Sequence, residues 1–215
     1  MSYFDDLITE RRRTPQEDLI SAMAAAESAG DRLSRDELFA MCVFLYVAGH
    51  ETTVSLLASG TKLLLEHPDQ FRILTADPDG TVEKAVEEFL RYEPPVTRGV
   101  RVPIEDFEWH DMTVRQGDTI TMLIGAANRD PNAFDNPDQL DITRHPNKHL
   151  GFGHGIHFCL GAPLARIEAN IAFRAIARRL PGLERAEGEA KFRPALGILS
   201  LESLPVRVGQ MTDHE

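Results

Sequence analysis

One stretch of the chain, residues 35–66, constrains the fold more than any other. Ser34-Arg35-Asp36-Glu37 reads as a capping box, in which Ser34 covers an orphan amide and Glu37 reaches back to the cap. A helix started there can run to about Glu66, where His67-Pro68 stops it, a rod of roughly 45 Å at 1.5 Å per residue. Residues 38–47 are apolar on every side, which predicts burial through the middle of the protein. Within this helix Ala48-Gly49-His50-Glu51-Thr52-Thr53 is a local contradiction. Glycine costs about 1 kcal/mol in a helix interior, and an acid beside two threonines costs more unless partnered. Contradictions of this kind mark functional segments. His50-Glu51 begins the zinc-protease pattern H-E-x-x-H, but Val54 stands where the second histidine is required.

The 215 residues suffice to bury a core and suggest one domain or two. With 34 acidic against 23 basic residues, a formal charge of -11, nucleic acid is not an expected partner. Two cysteines make no disulfide framework. The opening Met1-Ser2-Tyr3-Phe4-Asp5-Asp6 has neither the basic start nor the apolar core of a signal peptide. The longest apolar run, residues 38–49, reads as too short to span a bilayer. The expectation is a cytoplasmic protein with no membrane attachment.

Cys159 carries the chemistry. It lies in Gly151-Phe152-Gly153-His154-Gly155-Ile156-His157-Phe158-Cys159-Leu160-Gly161, a glycine-studded turn running into a helix. Alternating glycines let backbone amides crowd the sulfur, and the helix opening after Gly161 turns its partial positive end toward it, so both favour a charged sulfur. A soft thiolate can be a nucleophile, a zinc ligand or an iron ligand. His145, His149, His154 and His157 keep zinc in view, but the tight ligand pairs of structural zinc sites, such as C-x-x-C, are missing. A dinucleotide loop fails because its third glycine would fall on Ile156. Cys42, within Phe39-Ala40-Met41-Cys42-Val43-Phe44, reads as a small buried hydrophobe.

The string Phe152-Gly153-x-Gly155-x-His157-x-Cys159-x-Gly161, continued as Ala162-Pro163-Leu164-Ala165-Arg166, resembles the haem-binding signature of the bacterial soluble cytochromes P-450, which are haem-thiolate monooxygenases. Glu88-Phe89-Leu90-Arg91 is similar to the family's E-x-x-R motif, whose ion pair is buried; Glu88 and Arg91, three apart, share a helix face. Arg144, in Asp141-Ile142-Thr143-Arg144, resembles the third member of that cluster. The resemblance implies haem b with the Cys159 thiolate as axial ligand, Phe152, Gly153 and Gly155 in the cofactor loop, and His157 and Arg101 at the propionates, with Arg98 an alternative to Arg101. It makes the 48–53 segment the oxygen-activating stretch, with Gly49 leaving room over the haem and Glu51 and Thr52 passing protons to dioxygen. It also implies a small organic substrate, facing Phe44 to Val47 and Val96-Thr97, and a ferredoxin-type redox partner. Arg166, Arg174 and Arg178 are candidates for docking that acidic partner.

The fold class expected is mainly α with small β-sheets. It corresponds to the C-terminal half of the cytochrome P-450 fold: long central helix, E-x-x-R helix, meander, cysteine-ligand loop and following helix. Residues 1–215 are expected to form a single haem-binding unit, N-terminally truncated relative to the family and completed by a second chain or a missing N-terminal half. Residues 1–33 read as polar helical pieces with an exposed basic run, Arg11-Arg12-Arg13, and an alanine-rich helix ending near Gly30. A helix is predicted over 81–92, short strands over 100–102, 107–109 and 119–123, an irregular meander over 128–146, a helix over 162–180 and a hairpin over 196–208. Two functions follow: a haem-thiolate monooxygenase, or a degenerate haem-binding or interaction protein that activates no oxygen productively.

Overall fold

The computed structural model describes residues 2–28, 31–194 and 197–209. Gly30 and Leu196, at which a helix end and a hairpin start were expected, lie outside the described residues. The chain divides into two compact units, residues 1–51 and 52–215.

In the first unit, helix α1 (Ser2–Arg13) is followed by α2 (Leu19–Ala25), a short antiparallel ladder of β1 (Glu27–Ser28) and β2 (Asp31–Arg32), and the start of α3 (Arg35–Glu66). Asp18 caps α2 by accepting from the Ser21 amide at 2.8 Å and also pairs with Arg11. These hydrogen bonds, Arg11's first, hold the Asp18 carboxyl down at about 2. Arg11 is therefore committed to Asp18 and Glu10, while Arg12 and Arg13 remain exposed as the basic run predicts. The capping box forms as read: the Ser34 amide donates to Glu37 Oε2 at 2.8 Å and the Glu37 amide to Ser34 Oγ at 3.2 Å.

Burial of the apolar segment of α3 is corrected. Leu38 and Cys42 pack with Ile8 into a small core flanked by Phe4, Ile20, Met23, Leu33 and Phe39. Phe44 and Tyr46, however, are 63% and 65% exposed. Two short helices cover one stripe of a third, not its circumference, so the all-round apolar pattern is only partly buried. Cys42 is buried, which pushes its thiol up.

The second unit is built on the rest of α3 with α4 (Pro68–Ala76) and α5 (Pro78–Tyr92). Helix α4 was not foreseen: Pro68 ends one helix and, as a first-turn proline, begins the next. Helix α5 starts at Pro78, not Thr81, because Asp77 accepts from the Gly80 amide at 3.0 Å and caps it. Strand β3 (Gly99–Arg101), the hairpin of β4 (Phe107–Trp109) and β5 (Met112–Val114), and β6 (Ile120–Met122) follow, β3 pairing antiparallel with β6. The turn at Gln116-Gly117-Asp118 uses Gly117 at φ 87°. After the short α6 (Ile124–Ala127) the chain runs irregularly to a 3-10 turn at Gly155–His157 and then α7 (Ala162–Arg179). Strands β7 (Glu184–Arg185), β8 (Lys191–Phe192), β9 (Leu201–Ser203) and β10 (Val206–Arg207) close the chain. The expected terminal hairpin is corrected: β9 pairs with β8 and β10 with β7. Leu204-Pro205 between them is not a tight-turn pair, and the Pro205 carbonyl accepts from Ala186.

Helices and small two-stranded ladders match the mainly α class. The restriction to the elements from the long helix onward, the C-terminal half of the cytochrome P-450 fold, is corrected. Helices extend from Ser2 to Arg179, and α1 and α2 pack as regular elements ahead of α3.

The core of the second unit joins Leu56, Leu63 and Leu64 of α3, Val86 and Phe89 of α5, and Phe173 of α7. The Phe89 and Phe173 rings meet with centroids 4.9 Å apart. Gly60 of α3 makes room for both: a β-carbon there would lie 2.4 Å from Phe173 Cζ and 2.9 Å from Phe89 Cδ2. At Gly49 a β-carbon would meet nothing within 4 Å. The two glycines of one helix therefore respond oppositely to alanine. Gly60→Ala should destabilise by about 1–3 kcal/mol through overpacking, whereas Gly49→Ala should stabilise by about 0.5–1 kcal/mol through helix propensity. Denaturant midpoints of the two variants measure the contrast.

Candidate functional site

Helix α5 presents two consecutive glutamates to different neighbours. Successive residues are turned about 100° around a helix axis, and Glu88 and Glu87 make separate sets of contacts. Glu88 and Arg91 are both fully buried. The Arg91 guanidinium grips the carboxylate in two places, Nε to Oε2 and Nη2 to Oε1, each at 2.8 Å. Its remaining donors go to the carbonyls of Asn128, Pro137 and Gln139 at 2.8–3.0 Å, so all five N–H groups are used. Glu88 also accepts from the Asp141 amide at 2.9 Å, from Arg144 Nε at 3.1 Å and from Asn147 Nδ2 at 3.0 Å. The structure thus brings Glu88, Arg91 and Arg144 together as one cluster and pins the irregular segment after α6 to α5.

Asn128 extends that attachment toward the cysteine. Fully buried, it accepts from the Leu150 amide at 2.7 Å and donates to the Leu90 carbonyl at 3.4 Å. The loop then turns on Gly153 and Gly155, at φ 73° and 68°, a left-handed conformation that glycine adopts without strain. Gly151 serves a different need, since a β-carbon there would sit 2.8 Å from the Leu90 carbonyl oxygen. The Cys159 amide donates back to the Phe152 carbonyl at 2.9 Å, closing the loop, and the Ala162 amide donates to the Cys159 carbonyl at 3.2 Å as α7 begins. Cys159 is exposed, and so is His157.

Glu87 holds the other side of this loop. Arg166 of α7 grips it bidentately, Nε to Oε1 at 2.7 Å and Nη2 to Oε2 at 2.8 Å, and stacks over the Phe152 ring at 4.6 Å. His149 Nε2 lies 3.1 Å from Glu87 Oε2, while its Nδ1 accepts from the Gly151 amide at 3.0 Å. A backbone N–H can only donate, so the ring proton sits on Nε2 and is given to Glu87. Burial works to raise the Glu87 carboxyl, but the hydrogen bonds from Arg166 and His149 outweigh it and hold the group down at about 2. Sequence reasoning missed Glu87 and the role of His149. The signal available was an acid adjoining Glu88 and a histidine two residues ahead of the glycine turn.

The other expected site residues are more dispersed. Arg101 is exposed on β3 and donates to the Val100 carbonyl at 2.8 Å; Arg98 is half-buried, its side chain against Gly197. Gly49 is exposed on α3, and Glu51 and Thr52 are half-buried there, Glu51 ending the first compact unit and Thr52 opening the second. Of the arginines expected to dock a partner, Arg166 is bound to Glu87, while Arg174 and Arg178 pair with Asp79 at 2.9 and 2.6 Å.

The residues present fit a haem. Cys159 offers an exposed, soft sulfur donor of the kind that ligates haem iron. Ile156 and Leu160, on either side of the sulfur in sequence, are 99% and 86% exposed, and a β-carbon at Gly155 would meet nothing within 4 Å. A flat apolar group laid on this loop would cover those side chains.

Two expectations follow from the paired glutamates. Arg91→Ala leaves Glu88 buried without its main partner and should cost about 3–5 kcal/mol in denaturant unfolding. Glu87 is depressed in the folded chain, so its contribution is fully present above its ordinary value of 4.5 and disappears as pH falls toward 2. Glu87→Gln should therefore flatten the acid limb of the stability curve between those values, as unfolding at stepped pH would show.

Comparison with known proteins agrees with this geometry. The family model "Cytochrome P450" matches residues 1–181. The chain is 48% identical over 206 residues to the biotin biosynthesis cytochrome P450 of Bacillus subtilis, covering 96% of this chain and 52% of that protein. It is 47% identical over 211 residues to the polyketide biosynthesis cytochrome P450 PksS of the same organism, covering 97% of this chain and 52% of the relative. The crystal structure of P450BioI in complex with hexadec-9Z-enoic acid ligated acyl carrier protein superposes with a TM-score of 0.91 at 47% identity, over 97% of this chain and 53% of that one. These matches correct the expectation of a likeness limited to the C-terminal half of the family pattern. The likeness runs along nearly the whole of this chain and takes in α1 and α2. The chain spans about half the length of the curated relatives it matches. On the family match from residue 1 to 181, the buried Glu88–Arg91 cluster and the closed Cys159 loop, the chain belongs to the cytochrome P450 family.

Proposed function

We propose that this chain carries the haem-thiolate centre of a monooxygenase that inserts one atom of dioxygen into a small organic substrate, using electrons from a ferredoxin-type redox partner. The observation that supports it best is the exposed Cys159 sulfur, in a loop closed by two left-handed glycines and a hydrogen bond to Phe152 and fastened to α5 and α7. When bound, haem b held through the Cys159 thiolate would supply reductive activation of dioxygen, which the sulfur's electron donation favours.

The chain's own residues take the remaining roles in this reading. Cys159 would supply the sulfur that holds the haem iron, and Phe152, Gly153 and Gly155 would shape the loop surface beside it. His157 and Arg101 are exposed donors suited to its carboxylates. Glu51 and Thr52, an acid and a hydroxyl adjacent on α3, hold and pass a proton, and Gly49 keeps the helix surface low beside them. Phe44 to Val47 and Val96-Thr97 supply apolar contact to the substrate. The Glu88, Arg91 and Arg144 cluster keeps the cysteine loop's approach rigid. We place the whole in one haem-binding unit of a soluble cytoplasmic protein. Helix α3 has the length and composition of a membrane-crossing helix, a test that core helices of soluble proteins also pass.

The test is a hemin titration followed by the reduced carbon-monoxide spectrum. The wild-type chain should show the family's red-shifted band, and Cys159→Ser should lose it while retaining its helical content. A colourless wild-type protein after hemin, or a red-shifted band that persists in Cys159→Ser, would overturn the assignment.

A further inference from the structure

Glu87 has more partners than a surface helix glutamate needs, and every one leads to the cysteine loop. The loop has two ends to be held. At the first, His149 spans from Glu87 Oε2 to the Gly151 amide, with its side chain only 3% exposed. At the second, Arg166, in the first turns of α7, spans from both Glu87 oxygens to the face of Phe152, whose carbonyl receives the Cys159 amide. A bidentate guanidinium grip sets orientation as well as distance, so the plane of the Phe152 ring is tied to a carboxylate on a neighbouring helix.

We infer that Glu87 is the positioning residue of the cysteine loop: a single carboxylate on α5 that fixes His149 ahead of the glycine turn and Arg166 behind the sulfur. It touches neither the sulfur nor the group the sulfur would hold, and acts through those two side chains. The cluster of Glu88, Arg91 and Arg144 secures the segment before the loop, and Glu87 secures the loop itself. The inference rests on the haem-thiolate reading given above for its consequence at the sulfur.

The experiment compares full-length Glu87→Gln, which keeps shape and loses charge, with Asp79→Asn. The latter breaks the ion pairs of Arg174 and Arg178 on α7 to Asp79 on α5, a tie made by neither Glu87 nor Arg166. Amide hydrogen exchange across residues 149–161 should speed up by about tenfold or more in Glu87→Gln, the scale of a lost charge-assisted hydrogen bond, and by less than about twofold in Asp79→Asn. With haem bound, Glu87→Gln should convert faster from the red-shifted reduced carbon-monoxide band to the unshifted one, and Asp79→Asn should behave as wild type. Should Glu87→Gln fail to fold, Arg166→Lys keeps the charge without the fork and should raise exchange in the same segment. Unchanged exchange and unchanged band conversion in the folded variant would overturn the positioning role while leaving the haem reading intact. Equal effects from Asp79→Asn would reduce Glu87 to a general helix tie. Absence of the red-shifted band from wild type would instead sink the haem reading, with loop exchange in Glu87→Gln still deciding the positioning role.

Discussion

The rest of the second unit depends on one fully buried ion pair. Burying Glu88 and Arg91 carries a desolvation penalty of several kcal/mol per charge, offset only where the geometry is good and the remaining donors and lone pairs are occupied. Here they are: five donors of Arg91 meet five acceptors, and Glu88 receives Arg144, Asn147 and the Asp141 amide as well. Four of these contacts run to backbone groups of the segment after α6, which has almost no regular structure to hold it. The pair therefore does for an irregular chain what a ladder does for a strand. Because half-satisfied buried charges are worse than none, the segment has one arrangement that suits them.

That arrangement delivers the chain to residue 150 in a defined place, and the cysteine loop takes over from there. Its glycines do different jobs. Gly153 and Gly155 supply left-handed backbone, Gly151 lets the loop pass against the end of α5, and Gly161 caps α7 without a special conformation. Together with Glu87, next to Glu88 on α5, they leave Cys159 exposed yet tied by its own amide. An exposed sulfur on a fastened loop, flanked by exposed apolar side chains, suits a ligand that is broad, flat and apolar.

Helix α3 shows how far a periodic pattern can be trusted. Its start, cap and end agree with expectation because these are set by local chemistry: a serine and glutamate closing on each other, and a proline that cannot continue the helix. Its burial does not, because burial belongs to the partners a helix finds. The small core around Ile8, Leu38 and Cys42 covers one stripe within the first unit, and Gly60 fits tightly against Phe89 and Phe173 within the second.

Local rules made much legible in advance: the capping box, the ends of α3 and α7, strand β4, the turn at Gly117 and the ion-pairing face of Glu88 and Arg91. Each depends on residues within a few positions of one another, whose sterics and hydrogen bonds act whatever the rest of the chain does. Tertiary structure alone decided which glutamate faces which neighbour, that His149 is a hydrogen-bond bridge, that Arg166 of α7 pairs with Glu87 while Arg174 and Arg178 pair with Asp79, and that β9 and β10 pair backward to β8 and β7 instead of with each other. Those outcomes compare partners far apart in sequence, and a charge or a strand edge has many possible partners until packing leaves one within reach.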